Sequence, residues 1–169
     1  LDQYLGGVIE NFGALKHAKK FSDGQSNPTY LLTTSSGQYV LRRQPFGELL
    51  KSAHAVDREY RVLQALFDTD VPVARPIHLC KDRDVIGNLF YVMSYEDGRI
   101  FWKSGLPQLA KSERREIYLE MNRVLARLHS VNVEDVGLQD YGRPGNYFER
   151  QISRWTKQYR LSETTKIPA

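Results

Sequence analysis

The chain has 169 residues, 41% hydrophobic and 11% aromatic, enough to enclose a core in one domain or one and a part. Its net charge of +4 and pI near 9.2 suit an anionic ligand, but the Lys and Arg residues are spread along the chain and form no basic tail. Cys80 is the only cysteine, which excludes an intrachain disulfide, points to a reducing compartment and, with His78 alone nearby, leaves a Cys/His metal cluster unsupported.

Leu1 to Asn11 reads as a short helix with Leu5, Val8 and Ile9 at helical spacing, and Phe12-Gly13 ends it. Its start lacks the basic and apolar regions of a signal peptide and an initiator Met, which reads as a trimmed start on a cytoplasmic chain, with an organelle left open as the alternative for a eukaryotic source. No apolar run approaches the roughly 18 residues of a membrane span. Ala14 to Phe21 is a first strand carrying Lys19 and Lys20.

Next comes a β-hairpin: strand Tyr30–Thr34, turn Ser35-Ser36-Gly37-Gln38, return strand Tyr39–Arg43. The loop before it, Asp23-Gly24-Gln25-Ser26-Asn27-Pro28, has the glycine, amides and hydroxyl that turn donors toward an anion. Side chains alternate faces along a strand, so Val40 and Arg42 share one, apolar beside cationic. That pairing suits a nucleotide, with its base on Val40 and its phosphates near Arg42. The same residues also fit an ordinary surface hairpin.

Helical pattern resumes from about Ser52 to Leu66, with Ala55, Glu59, Val62 and Leu66 on one face. Glu59 thus stands in an apolar stripe. An unpartnered buried carboxylate is costly, so either Arg42 on the sheet beneath pairs with it or Glu59 lies at the stripe edge and reaches water. Arg58, Arg61, Arg114 and Arg115 read as solvated helix faces. Ile77–Cys80 and Leu89–Tyr95 are further strands, the second β-prone and central, and Glu96-Asp97-Gly98 is a turn. A helix from Lys111 to Ser130, with Ser112 as N-cap, carries an expected buried stripe of Ile117, Met121, Val124, Leu125 and Leu128. A last helix, capped by Asn146, repeats Phe148, Ile152, Trp155 and Tyr159 on one side. Strands first and helices afterwards is an α+β order.

In this order the motifs resemble the aminoglycoside phosphotransferase and choline kinase group of kinase-like enzymes, in particular the branch associated with acyl-CoA dehydrogenases. The matching pieces are GQSNPTY, YVLRRQP, VDREYRVLQAL, VPVARPIHLC, FYVMSYEDG, VLARLHSVNVEDVGL and GRPGNYFERQISRW, which together cover nearly the whole chain. The resemblance implies a protein-kinase-like fold: a nucleotide-binding lobe over 1–93 with one helix packed on an antiparallel sheet, a hinge at 94–98, and the first helices of a second lobe over 99–169. It implies ATP as cofactor. Ser26, with the backbone of Gly24, Gln25 and Asn27, would cradle the β- and γ-phosphates. Arg42 would hold the α- and β-phosphates, and Glu59 would orient Arg42. Val40 would pack on adenine and Met93 would be the gatekeeper. In the hinge Ser94-Tyr95-Glu96, the Ser94 carbonyl and Glu96 N–H would bond adenine. Where most kinases carry lysine this chain has arginine, a wider and planar cation.

Phosphoryl transfer also needs an acidic residue at the acceptor hydroxyl and ligands for Mg²⁺. In the resembled family these come from a His-Gly-Asp loop and a later Asp. None of His17, His54, His78 and His129 is followed two residues on by Asp, and Asp135-Val136-Gly137 reads as a plain loop. The expectation is therefore the ATP-binding part of a longer small-molecule phosphotransferase, inactive alone, with the Mg²⁺ ligands elsewhere. The acceptor is a small-molecule hydroxyl, hydroxyacyl or aminoglycoside. The competing reading is a non-catalytic, pseudokinase-like nucleotide-binding module. A nucleic-acid-binding role is disfavoured, because the Tyr and Trp residues fall on expected core faces. A protein kinase is disfavoured by the missing Gly-x-Gly-x-x-Gly loop.

Overall fold

The computed structural model describes residues 1–22, 26–47, 54–142 and 145–162. Five strands, β1 (Leu15–Lys20), β2 (Thr29–Thr34), β3 (Gln38–Arg43), β4 (Pro76–Cys80) and β5 (Phe90–Ser94), form an antiparallel sheet in the order β1-β2-β3-β5-β4. Between β3 and β5, Val40 faces Met93, Leu41 faces Val92 and Arg42 faces Tyr91. The alternation seen in the sequence therefore separates two faces.

On one face Leu32, Leu41, Cys80, Phe90 and Val92 cluster with Leu5, Ile9 and Phe12. Leu5 belongs to helix α1 (Asp2–Val8), which is shorter than the Leu1–Asn11 expected. Its Gly6-Gly7 pair disfavours helix, and Ile9 already has extended φ/ψ. Helix α2 (Val56–Phe67) covers the other face, where Val56, Tyr60 and Leu63 pack against Tyr91 and Met93. The buried positions of α2 are Val56, Tyr60 and Leu66. The core side is thus turned from the expected Ala55–Glu59–Val62 line, and Glu59 lies at its edge.

The hairpin turn is clasped from outside. Ser36 Oγ donates to Phe12 O at 2.5 Å, Ala14 N–H donates to Ser35 Oγ at 2.9 Å, and Ser35 N–H donates to Ala14 O at 2.9 Å. Gly13, at φ +72, makes this approach possible: a Cβ there would overlap Ser35 Oγ and sit 3.1 Å from the Ser36 nitrogen.

Beyond Ser94 the described chain has no strand. Helices α3 (Lys111–Ser130) and α4 (Tyr147–Ser162) follow. Ser112 is not the N-cap of α3. Ala110 holds that place, and Glu113 Oε2 accepts its N–H at 3.1 Å. The Asn146 carbonyl accepts the N–H of Arg150 at the start of α4. The expected buried stripes are not buried: Ile117 and Val124 are half-covered, while Met121, Leu125, Leu128, Phe148, Ile152, Trp155 and Tyr159 are exposed, Phe148 at 80%. Trp102, Tyr118 and Tyr147 are exposed as well, so the expectation that Tyr and Trp occupy core faces fails in this half. No described helix is long and apolar enough to cross a membrane.

Candidate functional site

β3 presents Arg42 toward α2, and α2 presents Glu59 toward the sheet. Arg42 Nε donates to Glu59 Oε2 at 2.7 Å and Nη2 to Oε1 at 3.4 Å. Of the two fates open to Glu59, the ion pair forms, and the edge position leaves the side chains 29% (Arg42) and 35% (Glu59) exposed. Arg42 Nη1 donates to Thr29 Oγ1 at 3.0 Å and Asn27 O at 3.4 Å.

Two neighbours complete the carboxylate. Tyr91, opposite Arg42 in the sheet, donates its hydroxyl to Glu59 Oε2 at 3.2 Å, and Asn27 Nδ2 donates to Oε1 at 2.8 Å. Asn27 is 4% exposed, so its side chain is turned into this network. With the amide nitrogen facing Glu59, its Oδ1 faces His54 Nδ1 at 2.9 Å, which makes that ring nitrogen the donor. Gln44 Nε2 in turn donates to the His54 carbonyl at 3.1 Å.

Burial works against the Arg42 charge, but the hydrogen bond and the charge of Glu59 outweigh it and hold the guanidinium above its ordinary pKa. Burial first, then the Glu59 charge, pushes the Tyr91 phenol well above the usual range. Arg42 is therefore a permanent, fixed cation with its edge open to solvent, which suits a phosphate.

The pair forms one wall of a cleft of about 590 Å³. Leu63, Ala74 and Met93 give it an apolar side, and Tyr141 closes it from the segment before α4. Arg42, Glu59 and Met93, singled out from sequence, thus meet in one place. Val40 neighbours Met93 on the same sheet face but is nearly covered. Ser26 is exposed, and Gly24 and Gln25 lie outside the described residues. At the end of β5, Ser94 N–H donates to Arg75 O at 2.9 Å, and Ser94 Oγ accepts Arg75 N–H at 2.8 Å and donates to Glu96 Oε1 at 2.5 Å. Tyr95 beside them is half-buried.

Sequence reasoning missed Tyr91, Thr29, His54 and Tyr141. Tyr91 was within reach, two residues before Met93 on the same strand face. It also misjudged Arg58 and Arg61, which are not simply solvated. Arg58 Nη2 donates to Tyr141 O at 2.7 Å, and its guanidinium lies 4.1 Å from the Tyr141 ring centre. Arg61 donates to Gly137 O at 2.7 Å and, through both terminal nitrogens, to the Asp140 carboxylate. That hydrogen bond holds the Asp140 carboxyl below its ordinary range. Among the described residues no group of three or more His, Cys, Asp or Glu side chains could hold a metal ion, and no step is assigned to one.

A family model described as "Phosphotransferase enzyme family" matches residues 17–169. The chain belongs to this phosphotransferase family. A solved structure described as a "putative aminoglycoside phosphotransferase" from Ralstonia eutropha JMP134 is similar over 99% of the chain, with a TM-score of 0.80 and 49% identity, and the match covers 48% of that chain. The α+β architecture is thus the kinase-like fold of that neighbour. Among curated relatives, mouse acyl-CoA dehydrogenase family member 10 is 44% identical over 171 residues, and human family member 11 is 43% identical over 173. Both alignments cover all of this chain but only 16% and 22% of those proteins. The family and the likeness to acyl-CoA dehydrogenase family members are those the ordered motifs implied.

Proposed function

We propose that the cleft binds ATP and that the chain is the nucleotide-binding part of a phosphotransferase that moves the γ-phosphate to the hydroxyl of a small molecule. The observation that carries this reading is the Arg42–Glu59 pair on the wall of a half-apolar cleft. Arg42 holds the α- and β-phosphates, and Glu59, fixed by Asn27 and Tyr91, keeps its fork aimed. Met93 and Val40 flank the base, the Ser94–Glu96 stretch bonds its edge, and the 24–27 loop covers the outer phosphates. On this reading residues 1–93 are the nucleotide lobe, 94–98 the hinge and 99–169 the beginning of the acceptor lobe. The group that takes the acceptor proton and the Mg²⁺ ligands come from residues other than these 169. The lone, buried Cys80 suits a reducing, cytoplasmic setting.

Calorimetry on the longer natural protein tests the assignment. Arg42→Ala weakens ATP binding by more than about tenfold, roughly 1.4 kcal/mol, while adenosine, which lacks phosphates, binds as before. ATP affinity equal to wild type overturns the role of Arg42. A parallel loss for adenosine shows that the variant has damaged the cleft as a whole.

A further inference from the structure

Arg58 and Arg61 lie on the same helix as Glu59 yet take no part in its hydrogen bonds. Their partners stand 76 to 83 positions away, in the 137–141 loop. Helix α2 is therefore held twice. Val56, Tyr60 and Leu66 are buried, with the first two packed on the sheet, and Arg58 with Arg61 grips the loop. Successive residues of a helix are about 100° apart, so a roll of α2 that releases the loop also carries Glu59 away from Arg42. The loop contributes in return, because Tyr141, fixed by Arg58 through its carbonyl and its ring, lines the same cleft as Arg42 and Glu59.

We infer that Arg58 and Arg61 are positioning residues: by clamping α2 to the 137–141 loop they set the rotation of the helix that aims Arg42, and they place Tyr141 as the far wall of the cleft. The inference rests on the reading of that cleft as a nucleotide site. A single exposed ion pair contributes little to stability because water screens it, and Arg61 and Asp140 are both substantially exposed. What the clamp supplies is geometry. The Arg61 fork meets a carboxylate and a carbonyl together, and Arg58 meets a carbonyl and a ring, an arrangement that a lysine cannot reproduce.

The test uses the longer natural protein. Asp140→Ala and Arg61→Ala leave the melting temperature within about 2 °C of wild type, as surface substitutions do, yet weaken ATP binding roughly fivefold, in the range of mutations that act through a coupled network. Arg61→Glu weakens it further, and the exchanged pair Arg61→Glu/Asp140→Arg, which restores the ion pair but not the bond to Gly137 O, recovers part of the loss. Arg61→Lys, which keeps the charge without the fork, recovers little. Hydrogen exchange in the absence of nucleotide supplies the second arm: amides of α2 open faster in Asp140→Ala while β3 and β5 do not change. Single variants with wild-type ATP affinity, or an exchanged pair no better than Arg61→Glu alone, overturn the positioning role. A wild-type protein that binds no ATP overturns the nucleotide reading, and the exchange arm then decides the clamp by itself, unchanged α2 protection in Asp140→Ala refuting it.

Discussion

Four donors converge on the Glu59 carboxylate: Arg42 Nε and Nη2, Asn27 Nδ2 and the Tyr91 hydroxyl. A carboxylate at the edge of an apolar contact tolerates burial only when its lone pairs are used. Asn27 is the least replaceable of the supports, because one amide serves two partners, Glu59 and His54. Asn27→Ala removes both bonds inside a nearly closed space, and its expected cost is about 1–3 kcal/mol, read as a shift in the urea midpoint with an unchanged slope. Tyr91→Phe deletes one hydroxyl and keeps the ring against Tyr60, so about 1 kcal/mol is expected. Equal effects from the two substitutions would show that the amide has no bridging role. From sequence, Asn27 read as one polar residue of an anion loop. Its inward turn depends on a histidine 27 positions away, and no local pattern announces such a partner.

At the scale of elements, the sheet and α2 were legible because their signals are local. Val40, Leu41 and Arg42 alternate as a strand should, and the helical spacing from Val56 to Leu66 needs no knowledge of the rest of the fold. The two together offered the Arg42–Glu59 pair as one of two fates for the carboxylate. The clamp formed by Arg58 and Arg61 was not legible, since two arginines on a helix look the same whether water or a distant loop receives them. The stripes on α3 and α4 were read correctly as apolar, and the one on α3 wrongly as buried, because burial depends on what lies over it. The short helix α1 carries its own test. Leu5 is fully buried against the sheet while Val8 on the same helix is exposed, so Leu5→Ala costs about 2–4 kcal/mol and Val8→Ala less than about 0.5. The same junction is acid-sensitive. His78 on β4 meets the Tyr4 hydroxyl at 3.0 Å, and burial lowers its pKa below 6.5. The unfolded chain then binds a proton that the folded one resists, so stability is full above pH 6.5 and falls as the pH drops through the lowered native value. His78→Gln should flatten that part of the stability–pH profile, and an unchanged slope would assign it to another group.

For the molecule as a whole, the two halves differ in how well they are enclosed. The sheet half has a core closed on both faces, whereas α3 and α4 present Met121, Leu125, Phe148, Ile152 and Trp155 to solvent. An exposed apolar row of this kind along a helix belongs against another surface. The 169-residue chain should therefore bind a hydrophobic dye strongly and self-associate in sedimentation. Phe148→Ser with Ile152→Ser should reduce them in the isolated chain without moving the unfolding of the sheet half. Equal dye binding by the chain and by this double variant would show that these faces do not carry the signal.

The clasp of Ser36 on the Phe12 carbonyl lies at the far end of the hairpin from Arg42, yet it helps the strand pairings keep that residue on its face. Face alternates at every step along β3, so a slip of one position would send Arg42 to the α1 side and bring Leu41 or Arg43 under α2. Pinning the turn to a segment outside the hairpin fixes the zero from which those steps are counted. A lesion at Gly13 or Ser36 would thus loosen one of the contacts that hold the cation on the α2 side of the sheet.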